Sequence, residues 1–450
     1  MKPRPDRPVR LGGRPGSKLR RMFSTAWTVH RRAWLVLDAA ILIPLVPWIL
    51  VGSLDERFSG REALHGVANL AAFFAISAWA ANLVLASRIR RLERAVGGLE
   101  QLYLMHRRVG VVVVTLAVVH VVFVTVYTGA EALDLYVPSA GWSVFSGVVA
   151  FALLVGFVAA TIAGRLSYPA FILVQRLMGG AFVLGAFHAF AVRGTAASSP
   201  GLTIVLGSMT ATGIASLLYR VVGGRVGAGH HRYRVQDVRR LGEDVVEIIM
   251  SPLGPALEFQ AGQFLYATFD QAGIPRESHP FTISSAPGAD LRIAVKRFGD
   301  YTRLLMDLRP GAQALLEGPF GSFQLLGDSL QAQTWIAGGI GITPFLSWAR
   351  TLDGSLPIDL YYCTPAAEQA YFLDELFAIA DRHPRLRVVP IRKSSLGRLS
   401  VDDIEAVNPR VCSGHVFICG PQVMIDNMRA GFTARGMGAR RIHSECFDFR

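Results

Sequence analysis

The sequence predicts a multidomain membrane protein: a six-helix transmembrane bundle, then a small antiparallel β-barrel, then a doubly wound α/β domain. Three observations carry that expectation. The 450 residues are 51% hydrophobic, and the long uncharged runs are confined to the first half. Between about His231 and Leu326, short runs rich in Val, Ile, Phe and Tyr alternate with Gly/Pro turns, as in a barrel. From Gln333 onward strands alternate with helices, the pattern of a parallel sheet. The expected divisions are a basic tail over 1–30, the bundle over 31–222, the barrel over 230–328 and the α/β domain over 329–450.

Six apolar segments are long enough to cross a bilayer, which takes about 20 residues. They are Ala33–Val51, His65–Ala86, Val109–Thr128, Trp142–Ala163, Phe171–Val192 and Leu202–Tyr219. The net charge of +13 maps beside these spans. Ten basic residues stand in positions 1–32 against the single acid Asp6, and six more lie between Arg88 and Arg108. That clustering follows the positive-inside rule and anionic headgroups, and argues against nucleic-acid binding. Both termini are then expected on the cytoplasmic side of the plasma membrane, with the C-terminal half. Gly223-Gly-Arg-Val-Gly-Ala-Gly229 reads as a flexible linker. The four cysteines (Cys363, Cys412, Cys419, Cys446) show no CxxC spacing, which disfavours structural zinc, an iron–sulfur cluster or a disulfide framework.

Two histidines mark the third span. His106 and His120 are fourteen residues apart, close to four helical turns, so both rings leave one helix face. They stand about 21 Å apart along the axis. An ionisable ring inside a span is expensive and by default functional. His188 lies on the fifth span, level with His120, and Gln175, thirteen residues earlier, is level with His106. Two imidazoles from different helices form a low-spin b-type haem site, with no position left for substrate, whose task is electron transfer. His106, His120 and His188 are therefore the expected iron ligands. His65 opens the second span as an interfacial residue, and His30, His230 and His231 are juxtamembrane.

Ala337-Gly-Gly-Ile-Gly-Ile-Thr-Pro344 joins a strand to a helix. Gly338, Gly339 and Gly341 allow close backbone approach, Thr343 is the expected N-cap and Pro344 suits the first helical turn. Such a turn suits the pyrophosphate of a dinucleotide.

His279-Pro-Phe-Thr-Ile-Ser-Ser-Ala-Pro287 resembles the flavin-binding segment of the ferredoxin–NADP reductase superfamily, in the form carried by NADPH oxidases and ferric reductases. The resemblance implies FAD, with Pro280, Phe281, Thr282, Ile283, Ser284 and Ser285 along the isoalloxazine and ribityl chain. His279 would contact the diphosphate side, with Lys296 and Arg297 near the phosphates. Gly299-Asp-Tyr-Thr302, including Tyr301, resembles the next flavin-phosphate loop, and Gly318–Phe323 a barrel-closing turn. Phe417-Ile-Cys-Gly-Pro-Gln422 resembles the strand–turn that sets Cys419 beside the nicotinamide, followed by Gly420 and Pro421. The ending Glu445–Arg450 resembles tails whose aromatic ring covers the flavin, with Phe449 ahead of Phe447.

The membrane half resembles the same family's ferric-reductase-like domain, where histidine pairs on the third and fifth spans hold two haems. Gln175 stands where that family has its fourth histidine. Either His106 is completed by Met178, Gln175 or water, or the outer haem stands alone. The resemblance implies a flavoprotein oxidoreductase passing electrons from NAD(P)H through FAD and one or two haems b to an outer acceptor. That acceptor is expected to be dioxygen, giving superoxide; a ferric chelate or a periplasmic redox protein are the alternatives. Glu131–Trp142 is the candidate docking surface for such a partner. A soluble-type flavin reductase on a haemless anchor is the remaining rival. Arg392, Lys393 and Arg398 could reach a 2′-phosphate, which favours NADPH over NADH.

Overall fold

The computed structural model describes residues 31–50, 60–164, 166–192, 199–226, 230–288, 290–325 and 332–445. The chain divides into two compact units, Met1–Val226 and Gly227–Arg450. The basic tail over 1–30, with His30, and the terminal Cys446, Phe447 and Phe449 lie outside the described residues.

The first unit is helical: α1 (Arg31–Leu42), α2 (Leu45–Leu50), α3 (Glu62–Ala86), α4 (Arg90–Val96), α5 (Leu99–Thr128), α6 (Trp142–Ile162), α7 (Tyr168–Ala191) and α8 (Pro200–Val226). Among the described residues six segments are long and apolar enough to cross a membrane, with α1 and α2 together forming the first. The break between α1 and α2 falls at Ile43–Pro44, where proline lacks the backbone donor that would continue the ladder. Helix α5 begins at Leu99, ten residues before the expected Val109. Hydropathy ends at Arg107 and Arg108, whereas backbone hydrogen bonding does not, and Arg108 sits 5.2 Å over the Trp34 ring. Helix α8 likewise runs through Gly223 and Gly224 to Val226, into the segment expected to be a linker.

Helix α3 packs against α1, α5, α7 and α8 and is the centre of the unit. Its buried face is built from small residues, among them Gly66, Ala68, Ala71, Ala78 and Ala80. Small side chains let helices approach closely where lipid offers no hydrophobic drive between them. Facing them, Leu102, Met105, Val109 and Val113 of α5 are buried, while Val111, Val118, Val122 and Val126 are exposed on its other side. An apolar exterior of this kind suits hydrocarbon, not water.

The second unit begins with six antiparallel strands: β1 (His230–Arg240), β2 (Val245–Pro252), β3 (Phe264–Asp270), β4 (His279–Thr282), β5 (Leu291–Lys296) and, after the short α9 (Asp300–Leu304), β6 (Gln313–Phe320). Their order is β4-β3-β6-β1-β2-β5, and an Ile283–Ile293 bridge nearly closes the barrel. Strand β6 was not among the expected strands. Its alternating burial is regular, but Gly318-Pro319 near its end reads as a turn in sequence.

Five parallel strands follow in the order β11-β10-β7-β8-β9. These are β7 (Gln333–Gly338), α10 (Thr343–Ala349), β8 (Ile358–Thr364), α11 (Leu373–Arg382), β9 (Leu386–Arg392), α12 (Lys393–Leu396), α13 (Val401–Val407), β10 (His415–Cys419), α14 (Gln422–Ala434) and β11 (Ile442–Glu445). Helices cover both faces. Phe345, Trp348, Leu376 and Ile379 fill one core, and Val401, Ile404, Ile425 and Phe432 the other. The crossover point lies between β7 and β10, where chain order reverses and ligands of such sheets bind. The sixth barrel strand, α13 and the edge strand β11 complete the expected plan without changing it.

The edge strand carries one titratable group whose behaviour follows from its packing. His443 stacks on Phe417 at 4.5 Å and meets His415 at 3.1 Å. Burial, with the nearby His415 second, pushes its pKa down from 6.5 to about 4. The ring is neutral in the fold and takes up a proton on unfolding. Its contribution to stability is therefore whole above 6.5 and is lost as pH falls towards about 4. In His443→Gln, the drop in melting temperature between about pH 7 and about pH 5 is expected to be smaller than in the parent. Equal drops in both would refute this role.

Candidate functional site

Within the first unit, α3 supplies one backbone carbonyl to each histidine of α5. His120 Nδ1 donates to the Ala68 carbonyl at 2.9 Å and His106 Nδ1 to the Asn82 carbonyl at 3.2 Å. Ala68 and Asn82 are fourteen residues apart, as His106 and His120 are, so two antiparallel helices repeat one arrangement at two levels. From α7, His188 Nδ1 donates to the Ser143 carbonyl of α6 at 2.8 Å. A carbonyl can only accept, so the hydrogen is on Nδ1 in each ring and the Nε2 lone pair is left for a ligand.

The level of His120 and His188 brings two such rings together. The centroids of His120 and His188 are 6.2 Å apart, with planes at 67°. Two imidazoles bound to one metal at about 2 Å each place their ring centres roughly 6 Å apart. Gly147 of α6 makes room for this pose, since a Cβ there would lie 2.5 Å from His188 Nδ1. Among the described residues no group of three His, Cys, Asp or Glu converges to cage a bare ion. A porphyrin, which brings its own equatorial nitrogens, needs only the two axial imidazoles. The donor set fits haem at this level.

The level of His106 is half built. His106 has the same carbonyl anchor, but the remaining described histidine of the unit, His65, stacks on Tyr127 at 4.8 Å and lies 3.9 Å from Glu62. Gln175 lies half-buried on α7.

In the barrel, β4 and the residues after it form a strip in which Phe281, Thr282, Ile283, Ser284 and Ser285 are all buried. The Ser284 hydroxyl is fully enclosed and has no hydrogen-bond partner. His279 stacks on Tyr301 at 3.9 Å and its Nε2 lies 2.9 Å from Glu277. The Tyr301 hydroxyl donates to the Glu277 carbonyl at 3.2 Å, so ring and strip are tied together. The Thr302 hydroxyl accepts from Phe298 N–H at 2.9 Å and Gly299 N–H at 3.1 Å, which shapes the loop ahead of α9. Arg297, Phe298, Gly299 and Arg303 line a cleft of about 340 Å³ there. Lys296 is turned elsewhere: it pairs with Asp244 at 3.5 Å, and Asp244 also accepts the Tyr371 hydroxyl. A larger cleft lined by Gln271, Leu304 and Arg309 shares no residue with these motifs.

At the carboxyl edge of the parallel sheet, β7 lies beside β10 with Ala337 opposite Cys419. The turns that follow the two strands are in van der Waals contact. A Cβ on Gly341 would lie 2.4 Å from the Cys419 carbonyl oxygen, and one on Gly338 would lie 2.8 Å from Pro421. Gly339 takes φ +55°, which favours glycine. Cys419 is fully buried at the end of β10, and Gly420-Pro421 turns the chain into α14. Thr343 is not the N-cap. The 3₁₀ turn Gly339–Ile342 runs directly into α10, so Thr343 is already helical and its hydroxyl donates back to the Ile340 carbonyl at 3.0 Å. Pro344 does occupy the first turn. Cys363, Cys412 and Cys419 are free thiols. Burial pushes the Cys363 thiol up to about 12, which makes it inert. Arg392 ends β9 opposite Thr364 of β8, and Arg392, Lys393 and Arg398 are exposed beside it.

Several contributors to this geometry carry no sequence signal. The acceptors Ala68, Asn82 and Ser143 act through backbone oxygen, which any residue supplies. Gly147 belongs to no motif, and its value is visible only against His188.

Three family models match in order along the chain. Residues 71–186 match the ferric reductase like transmembrane component, 230–322 an FAD-binding domain and 335–430 an oxidoreductase NAD-binding domain. The second half is similar to the ferredoxin–NAD(+) reductase component of the alkene monooxygenase system of Xanthobacter autotrophicus, 29% identical over 44% of this chain and 64% of that protein. It is also similar to the reductase component of propane 2-monooxygenase of Rhodococcus jostii, 25% identical over 43% of this chain and 57% of that protein. The chain thus spans less than two thirds of these relatives. A crystal structure of a cytochrome P450 reductase from Amycolatopsis aligns with a TM-score of 0.43 and 26% identity, covering 48% of this chain and 69% of that one.

The basic group at the end of β9 yields a direct test. Arg392→Ala is expected to raise the Michaelis constant for NADPH about tenfold or more, as loss of a charge-assisted phosphate contact of roughly 1.5–3 kcal/mol implies, and to leave that for NADH alone. Steady-state kinetics with both nucleotides decide it, and equal changes for the two would remove Arg392 from the 2′-phosphate site.

Proposed function

We propose a transmembrane electron carrier, on the premise that this chain belongs to the ferric-reductase-like family, its membrane domain fused to FAD- and NAD(P)H-binding domains. Electrons pass from cytoplasmic NAD(P)H to an acceptor on the outer face of the plasma membrane. That acceptor is dioxygen and the product superoxide. The observation that carries the reading is the His120–His188 pair, two imidazoles from different helices with both Nδ1 hydrogens held by carbonyls and both Nε2 lone pairs available.

FAD, when bound, takes an electron pair as hydride and releases electrons singly, which haem iron carries one at a time. The residues would act as follows. Gly338, Gly339 and Gly341 with Gly420 and Pro421 would admit the NAD(P)H pyrophosphate, and Cys419 would lie beside the nicotinamide. Arg392 and Arg398 would select the 2′-phosphate. Pro280 through Ser285 would line the isoalloxazine, with Thr282 and the unpartnered Ser284 hydroxyl as hydrogen-bonding groups. His279, Arg297, Gly299, Tyr301 and Thr302 would hold the flavin diphosphate; Lys296, tied to Asp244, would support the loop from behind. Phe449 would cover the flavin. His120 and His188 would hold the outer haem and His106 the inner one, with a non-imidazole partner at the level of Gln175. The basic residues flanking the spans support the cytoplasmic placement of both ends. Dioxygen is favoured because a small neutral gas needs no chelate-binding site.

Two measurements test this. The purified, detergent-solubilised protein is expected to carry haem and FAD in a ratio near two, by pyridine haemochrome and flavin release. His188→Ala is expected to lower it to near one, and Gly147→Ala to do the same by displacing the ring. A ratio near one in the parent would leave the outer haem without an inner relay and break the wire. Given NADPH, the protein is expected to consume oxygen and form superoxide detectable by cytochrome c reduction. Reduced haem without oxygen uptake would transfer the role to a ferric chelate or a periplasmic protein.

A further inference from the structure

Helix α10 leaves the glycine turn at one end and is fastened to the barrel at the other. Ser347, fully buried, donates its hydroxyl to the Ser285 carbonyl at 2.7 Å. Trp348 donates Nε1–H to the Ala261 carbonyl at 3.0 Å. Arg350, which ends the helix, donates Nη1–H to the Ser284 carbonyl at 2.8 Å. Two of these three acceptors belong to the strip that carries Thr282.

Arg350 is itself held in one pose. Its Nε and Nη2 grip both oxygens of Glu375 in α11 at 2.7 and 2.8 Å, and Nη2 reaches Glu247 of β2 at 3.3 Å. Glu247 is 4% exposed and has a second guanidinium, Arg292, at 3.8 Å. A planar fork bound on two sides has its remaining N–H direction fixed. That direction is the Ser284 carbonyl. Because C=O and N–H of one trans peptide are coplanar and opposed, fixing the carbonyls of Ser284 and Ser285 also fixes the plane of the strip. A helix of seven residues spans about 10 Å without bending, so α10 sets the separation of strip and turn as a rigid spacer.

We propose that Ser347 and Arg350 are positioning residues for hydride transfer: through α10 they hold the flavin strip at a fixed distance and tilt from the nucleotide turn. The step they serve moves one hydride, with its electron pair, from the reduced nicotinamide ring to the flavin and leaves NAD(P)⁺. The assignment rests on the reading of the strip as flavin site and of the turn as nucleotide site. Neither side chain needs to touch either cofactor.

The full chain, purified with its cofactors, is compared with Ser347→Ala and Arg350→Lys. Ser347→Ala removes one oxygen and adds no volume. Arg350→Lys keeps a charge beside Glu247, whereas Arg350→Ala would leave that buried carboxylate short of its partner and endanger folding. Anaerobic stopped-flow follows flavin reduction at saturating NADPH, equilibrium titration gives the NADP⁺ dissociation constant, and FAD content and melting temperature are recorded. Misplacement of reacting groups by about 1 Å costs up to about 100-fold in rate. The expected result is flavin reduction slowed at least about tenfold in both variants, with FAD content and NADP⁺ affinity unchanged and the nicotinamide–flavin charge-transfer absorbance weakened. An unchanged rate alongside a lower melting temperature would overturn the proposal and leave the two residues as ordinary fasteners. A parent flavin that neither NADPH nor NADH reduces would instead overturn the underlying reading, so the two failures are distinguishable.

Discussion

An imidazole inside an apolar bundle must satisfy its N–H without water, and His106, His120 and His188 each do so on a backbone carbonyl of a neighbouring helix. That single interaction decides the ring's tautomer, its direction and the nitrogen it leaves for a ligand. It also constrains the helices. Helix α3 has to lie close enough to α5 for Ala68 and Asn82 to meet His120 and His106, and small residues along α3 permit the approach. Gly147 does the same for α6 and α7 at His188. Close helix packing and ring orientation are here one requirement.

The two levels of the membrane unit share their carbonyl anchor and differ in what α7 sets across from it. At one level His188 meets His120, whereas thirteen residues earlier on the same helix, level with His106 by helical pitch, stands Gln175. Under the proposed function, unlike ligands would give the two levels different reduction potentials, because axial ligand identity is a principal control on it.

In the second unit the equivalent constraint is contact between backbones. The turns after β7 and β10 touch at Gly341 and the Cys419 carbonyl, leaving no room for a Cβ between them. Parallel pairing of β7 with β10 brings the two turns to one edge, and α10 then carries their position to the barrel through Ser347, Trp348 and Arg350. Breaking a buried ion pair such as Arg350–Glu247 on one side costs about 3–5 kcal/mol, which makes this junction a stiff part of the unit.

Composition and periodicity were enough for the six spans, the barrel and the parallel sheet, because each rests on a local pattern that water or lipid enforces residue by residue. The histidine spacing and the glycine turns were legible for the same reason: ligand chemistry and backbone approach restrict residue type. Boundaries were less legible, as at Leu99, where hydrogen bonding outlasts hydropathy, and at Thr343, where a preceding 3₁₀ turn took away its expected capping role. The sequence by itself determined where the imidazoles stand along the third and fifth spans. Only the tertiary structure decided which carbonyls orient them, that Lys296 faces Asp244, and that α10 spans from turn to strip. Those facts depend on backbone atoms, which are the same in every residue, and on distances between segments far apart in the chain.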